Sequence, residues 1–200
     1  LPIGITKEAI RLIVESSVLY QETYSTSDRI LHVSDAPRIA VVTFATTSNE
    51  RPFNDYSRQI ENLRKSVTSF KLELFVYTFH DLKKLISQTS FKKYPKFRRG
   101  VGGWFWKPII ILDFLSKHDF DYVLYLDVDC LILKNPVEVI RNIPTSFDLA
   151  GFKMPAPIGD WTAPRVLNLL KARENSTENM WTAGILIIKN SEAAKSSLKL

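Results

Sequence analysis

Tyr122-Val123-Leu124-Tyr125-Leu126-Asp127-Val128-Asp129-Cys130-Leu131-Ile132-Leu133 is the stretch on which the reading of this chain turns. An apolar and aromatic run meets two carboxylates at i and i+2, and the chain then becomes apolar again. The first part reads as a buried strand over Asp121 to Leu126, and Leu131 to Leu133 as a short strand beyond the acids. In extended backbone, residues i and i+2 point to the same side. Asp127 and Asp129 then repel each other, and a divalent cation is the usual remedy for such a pair. The acids interrupt core-like sequence instead of opening a polar loop. This is therefore the expected place for a metal and a phosphorylated ligand.

Working outward, the pattern alternates strand and helix. Arg38 to Ala45 reads as a buried strand and Leu72 to Thr78 as a second. Between them Ile60, Leu63 and Val67 share one face of a helix over Tyr56 to Phe70. Asp81 is the expected cap of a short helix ending near Ser87. Trp104 to Lys117 reads as a helix that tolerates Pro108 in its first turn. Pro136 to Asn142 forms a helix capped by Asn135, and a further helix lies near Arg165 to Ala172. Phe147 to Lys153 and Thr182 to Ile188 read as strands. Upstream, 5–22 has helical spacing and 25–37 is a polar connection, giving an N-terminal helix and connection over 1–37 and one domain over 38–200. Alternation of this kind favours an α/β domain with a mostly parallel sheet, whose ligands sit at the carboxyl ends of the strands. Thr43, Phe44, Ala45, Thr78 and the Asp127–Asp129 segment all fall at such ends.

Composition narrows the classes. The chain has 200 residues, is 45% hydrophobic and carries a net charge of +6. Its single cysteine, Cys130, excludes an internal disulfide framework and reads as a core thiol. No Cys/His cluster suggests structural zinc. No run is apolar enough to span a membrane, since Lys107 and Asp113 break the best candidate. Asn175-Ser176-Thr177 fits a glycosylation sequon. Lys83, Lys84, Lys92, Lys93, Lys96, Arg98, Arg99 and Lys107 fall between Leu82 and Leu112 with no acid among them. That patch suits an anionic partner or is simply a solvated loop. The sequence lacks a nucleic-acid reading motif, so nucleic acid is not an expected partner. It also lacks GxGxxG after the first strand, a P-loop and a GxSxG elbow.

Three segments together carry a resemblance. The segment Tyr122 to Pro136 resembles the DxD region of GT-A-type nucleotide-sugar glycosyltransferases, most closely the glycogenin-like and lipopolysaccharide-galactosyltransferase-like family eight. Trp181-Thr-Ala-Gly-Ile-Leu-Ile-Ile188 resembles that group's later Phe-Asn-Ala-Gly strand, with Thr182 in place of the usual Asn. Gly103-Trp-Phe-Trp-Lys-Pro108 resembles a Trp-Lys-Pro helix start in related sugar transferases. The likeness runs from about Arg38 to Ser191.

The resemblance implies a metal-dependent transfer of sugar from a nucleotide donor, UDP-sugar above all, to a glycan, protein or small-molecule acceptor. Asp127 and Asp129 would hold Mn2+ or Mg2+, with Val128 between them against the donor. Thr43, Phe44 and Ala45 would border the base. Lys107 would approach the diphosphate or the first acid. Trp181 to Gly184, including Ala183 and Gly184, would line the sugar and acceptor side. The family's further metal-binding His and Asp-Gln pair have no counterpart here, and the chain is expected to be a C-terminally incomplete piece of a longer protein. A membrane anchor outside it, and a Golgi-lumen setting in a eukaryote or a cytoplasmic one in a bacterium or virus, go with that expectation. The alternative is a non-catalytic nucleotide-sugar-binding or scaffold module.

Overall fold

The computed structural model describes residues 37–47, 55–87, 92, 104–144, 146–169 and 171–199. The expected helix over 5–22, its connection, and all of the basic segment 91–103 except Lys92 lie outside the described residues. In chain order the elements are β1 (Ile39–Phe44), α1 (Ser57–Ser69), β2 (Glu73–Tyr77), α2 (Phe79–Ile86), α3 (Trp106–Lys117), β3 (Tyr122–Leu126), α4 (Pro136–Arg141), β4 (Leu149–Pro157), α5 (Ile158–Trp161), α6 (Pro164–Leu169), a 3-10 turn (Arg173–Thr177), β5 (Asn179–Lys189) and α7 (Glu192–Ser197). They fall into two compact units. One is Gly151–Ala183; the other is the described part of Leu31–Ala150 with Gly184–Leu200.

The larger unit is an α/β layer structure, as the alternation of the sequence required. Its sheet belongs to a five-stranded order β2-β1-β3-β5-β4. β1 pairs in parallel with β2 on one side and with β3 on the other. β5 runs antiparallel to β3, from Tyr122 opposite Lys189 to Leu126 opposite Ile185. The chain thus leaves β1 toward one neighbour and returns for β3 on β1's other side. That reversal is a topological switch point, and sheets of this kind take their ligands at the carboxyl ends of the strands flanking it, here β1 and β3.

Period-2 alternation distributes the side chains. Ala40, Val42 and Phe44 of β1, with Val123 and Tyr125 of β3, enter a core cluster shared with Leu82 and Ile86 of α2 and the apolar face of α3. On α3 the buried positions are Trp106, Lys107, Ile110, Ile111, Phe114 and Leu115, a double stripe at i, i+4 and i+8. Lys107 thus lies on the core side of its helix. On α1 the buried residues are Leu63 and Val67, the positions expected from the spacing.

Three expectations need correction. Leu131 to Leu133 form no strand. A turn closes over Asp127–Cys130 and redirects the chain, and the Ile132 N–H finds Ser66 Oγ on α1 at 3.2 Å instead of a neighbouring strand. Asp81 is not the cap of α2. Thr78 is the N-cap and Asp81 sits three residues in, the two joined as a reciprocal capping box. Helix α3 begins at Trp106, because Trp104 sits at φ 62, outside helical geometry. Asn135 does cap α4, accepting from the Val137 N–H. The two late strands are longer than their hydrophobic runs, and the helix near Arg165 stops at Leu169.

The smaller unit is held together at short range. The Ile158 N–H donates to the Glu178 carbonyl at 2.8 Å, which ties α5 to the start of β5. At Gly159 a Cβ would lie 3.0 Å from the Ser176 carbonyl oxygen, so the close approach of α5 to the 3-10 turn needs glycine there.

Helix α1 ends in a Schellman motif built on a lysine. Lys71 has φ 57, its N–H donates to Thr68 O, and the Leu72 N–H donates to Val67 O. A Cβ disfavours this left-handed conformation. Lys71→Gly is therefore expected to raise the unfolding free energy by about 0.5–1 kcal/mol, less whatever glycine adds to the freedom of the unfolded chain. A urea titration of both proteins measures it.

Candidate functional site

Asp127 follows directly on β3 and keeps its ladder. Its N–H donates to the Gly184 carbonyl at 2.8 Å, one step beyond the Leu126–Ile185 pair. Its carbonyl then accepts from the Cys130 N–H at 2.9 Å, closing a turn in which Val128 and Asp129 are the central residues. Because Asp127 is still in register with β3, its side chain shares the face of Tyr125, the face toward α3. The extended-strand argument for two acids side by side stops there: Asp129 lies in the turn, not in a strand.

Lys107, 8% exposed, comes from α3 to meet Asp127. Its Nζ lies 2.8 Å from Asp127 Oδ1 and donates to Oδ2 at 3.0 Å. The Tyr125 hydroxyl donates to the same Oδ1 at 2.6 Å. The ammonium also lies 5.2 Å from the centre of the Tyr125 ring and 5.7 Å from that of Trp106, where ring faces attract a cation. A lysine this buried requires a counter-charge, and Asp127 is it. Burial, and then the adjacent Asp127 carboxylate, push the Tyr125 phenol far above its ordinary range, so it remains a hydrogen-bond donor.

Asp129 differs from Asp127 in every respect that matters chemically. It is exposed, and it makes no hydrogen bond or ion pair to another described residue. It is thus the uncompensated charge of the pair. Burial first, and then Asp129 and Asp127, push the Cys130 thiol up to about 12, away from the thiolate form that a nucleophile needs. Its Sγ–H points at the Gly184 carbonyl at 3.8 Å, the carbonyl that also accepts from Asp127.

The other residues singled out from sequence are placed as follows. Thr43, Phe44 and Ala45 are buried at the end of β1. Phe44 stacks on Trp106 with centroids 4.2 Å apart, and the Ala45 N–H donates to Tyr77 O. With Val42 opposite Tyr125, Phe44 stands level with Asp127 at the end of the neighbouring strand. The Thr43 hydroxyl is buried without a hydrogen-bond partner among the described residues. The Thr78 hydroxyl is engaged with Asp81 in the cap of α2. Val128 is buried, Gly184 holds Asp127 through its carbonyl, and Ala183 is exposed one residue earlier, in the smaller unit. Lys107, the Asp127–Asp129 turn and Gly184 are therefore one cluster. Tyr125 was missed from sequence, although it lies two residues before Asp127 and parity alone puts it on the same side.

Among the described residues no group of three or more His, Cys, Asp or Glu side chains converges as a metal cage. The donor set at the turn is two carboxylates, one internally neutralised and one open. Hard oxygen donors in this number fit Mn2+ or Mg2+ shared with a ligand's phosphate oxygens, and do not fit a metal held by protein alone.

The architecture is similar to that of a solved glycosyltransferase. The structure of mouse xyloside xylosyltransferase 1 superposes with a TM-score of 0.52 at 10% identity, over 80% of this chain and 72% of that one. Weaker likenesses are the bifunctional glycosyltransferase WbbM (TM-score 0.48, 12% identity, 88% of this chain and 35% of that one) and the glycosyltransferase GlyE of Streptococcus pneumoniae TIGR4 (0.39, 17%, 82% and 37%). The chain therefore spans about a third of the length of WbbM and GlyE. No protein-family model matches the sequence, and no curated protein matches it.

Proposed function

We propose that this chain is the donor-binding part of a metal-dependent glycosyltransferase that uses a nucleotide sugar, UDP-sugar above all. The observation that supports it best is the open carboxylate of Asp129 beside the Lys107–Asp127 pair, set at the switch point of a sheet with this fold. In sugar transfer the bond from the anomeric carbon to the diphosphate breaks and a bond to an acceptor hydroxyl forms, with loss of the hydroxyl proton. Negative charge accumulates on the departing diphosphate. A bound Mn2+ or Mg2+ would supply Lewis-acid stabilisation of that charge. Asp129 would hold the cation, and Asp127 would assist through a lone pair that its neighbours leave available. Lys107 keeps the buried end of the site neutral, so the turn presents about one net negative charge and not two. The acceptor is a glycan, a protein or a small molecule.

UDP is expected to bind with Mn2+ or Mg2+ and to lose at least about tenfold in affinity in EDTA, more than about 1.4 kcal/mol. Titration calorimetry in the two buffers tests this, and equal affinities sink the metal bridge. Metal-dependent release of UDP from a UDP-sugar separates the enzyme from a module that only binds the donor.

A further inference from the structure

We propose that Tyr125 is a positioning residue for this site: its hydroxyl, fixed in the core, holds the Asp127 carboxylate in the orientation it presents to the ligand. The inference rests on the donor-binding reading above and adds a residue to it. The Tyr125 side chain is fully buried and belongs to the same core cluster as Trp106, Ile110 and Phe114. The Trp106 and Tyr125 ring centroids are 6.4 Å apart. Packed on that side, and fixed on β3 opposite Val42 of β1, the ring has no freedom to follow a moving carboxylate. The hydroxyl is therefore a stationary donor.

The hydrogen bonds divide between the two oxygens of Asp127. Among the described residues, Oδ1 accepts from the Tyr125 hydroxyl at 2.6 Å and Oδ2 from the Lys107 ammonium at 3.0 Å, with Nζ also 2.8 Å from Oδ1 as an ion-pair contact. The two oxygens are chemically equivalent, so what is fixed is the direction and plane of the carboxylate. Turning it out of that plane breaks a short charge-assisted bond. The ammonium lies near both oxygens on a flexible four-carbon stem and can follow a turning carboxylate, whereas the Tyr125 hydroxyl cannot. Tyr125 thereby preorganises Asp127 as an acceptor or ligand.

The test is Tyr125→Phe in the full-length protein, which keeps the ring and removes the hydroxyl. UDP titrations with Mn2+ and in EDTA, a Mn2+ dependence of steady-state turnover, and a melting curve are measured together. The expected result is about a tenfold loss of UDP affinity in Mn2+, a parallel rise in the Mn2+ concentration at half-maximal rate, and unchanged binding in EDTA. The melting temperature of the empty protein should stay close to that of the wild type. Wild-type affinity of Y125F in Mn2+ overturns the proposal. Failure of Y125F to fold, or an equal loss of UDP binding with and without metal, also overturns it, because the hydroxyl then serves the core alone. A wild-type protein that binds UDP no better in Mn2+ than in EDTA refutes the donor-site reading itself, a result legible before any variant is made.

Discussion

Lys107→Met is expected to lower the unfolding free energy by about 2–3 kcal/mol, although methionine retains most of the packing of the lysine stem. Removing one partner of a buried ion pair leaves the other charge without its counter-ion, which in fully buried pairs costs about 3–5 kcal/mol. The Lys107 side chain is 10% exposed and that of Asp127 34%, so water recovers part of the loss and the lower figure applies. For a chain of this size the melting temperature should fall by several degrees. The pair can be isolated by a cycle. Lys107→Met with Asp127→Asn removes both charges, and the double variant should recover more than half of the single variant's loss, since no unpaired ion remains. Chemical denaturation of the four proteins gives the coupling. If Lys107→Met unfolds within about 0.5 kcal/mol of the wild type, the ammonium is not the structural partner of Asp127, and the internal neutralisation of that acid is wrong. Lys92→Ala serves as the control in donor binding. Lys92 is exposed, so its loss removes the same charge but should change UDP affinity little. Equal losses in the two single variants would reduce Lys107 to a long-range charge.

The fold was legible because each of its layers follows a simple periodicity. Alternation along Ile39–Phe44 and Tyr122–Leu126 separates the residues that meet α3 from those on the opposite face. The spacing of Ile60, Leu63 and Val67 gave α1 its buried side. What periodicity does not reveal is where it ends. The apolar run after Cys130 looked like more strand, but the hydrogen bond from Cys130 N to Asp127 O closes a turn that no glycine or proline announces. The same limit hid the Schellman end of α1 at Lys71, where glycine is the expected signal.

The candidate site was legible in part for a different reason. Two acids in apolar sequence require explanation, and so does a lysine in the apolar run from Trp104 to Leu115. The same helical stripe that carries Ile111 and Leu115 carries Lys107, so it had to enter the core and be paired there. Its partner was open from sequence between a ligand diphosphate and the first acid. The 2.8 Å contact to Asp127 shows which group it faces in the protein alone. Tyr125 passed as one more apolar strand residue because its ring does belong to the core. Only the hydroxyl, at the edge of that core, has a polar task. The base-side candidates illustrate the opposite limit. Strand-end position drew attention to Thr43, Phe44 and Ala45, while their burial depends on packing by Trp106 and by segments far away in sequence.

The sharpest consequence is that two chemically identical substitutions, two residues apart, should behave differently. Asp129→Asn is expected to leave the melting temperature within a degree or two of wild type, because the side chain is exposed and makes no bond to another described residue. Removing its charge also relieves repulsion with Asp127. In the full-length protein the same change should reduce sugar transfer by about 10²- to 10³-fold or more, the scale on which losing charge stabilisation at a leaving group acts. Metal-dependent UDP binding should fall with it. Asp127→Asn keeps an acceptor for the Tyr125 hydroxyl but takes the Asp127 charge away from the buried Lys107 ammonium, so its stability should drop by about 2–3 kcal/mol along with its activity. Melting curves and turnover for the two variants decide the matter. A large thermal loss in Asp129→Asn would make the turn acid structural. Full activity in Asp129→Asn would remove the open carboxylate from the reaction, and with it the case for a cation at this turn. The contrast follows from position alone: one acid ends a strand and faces the core, while the other is carried by the turn into solvent.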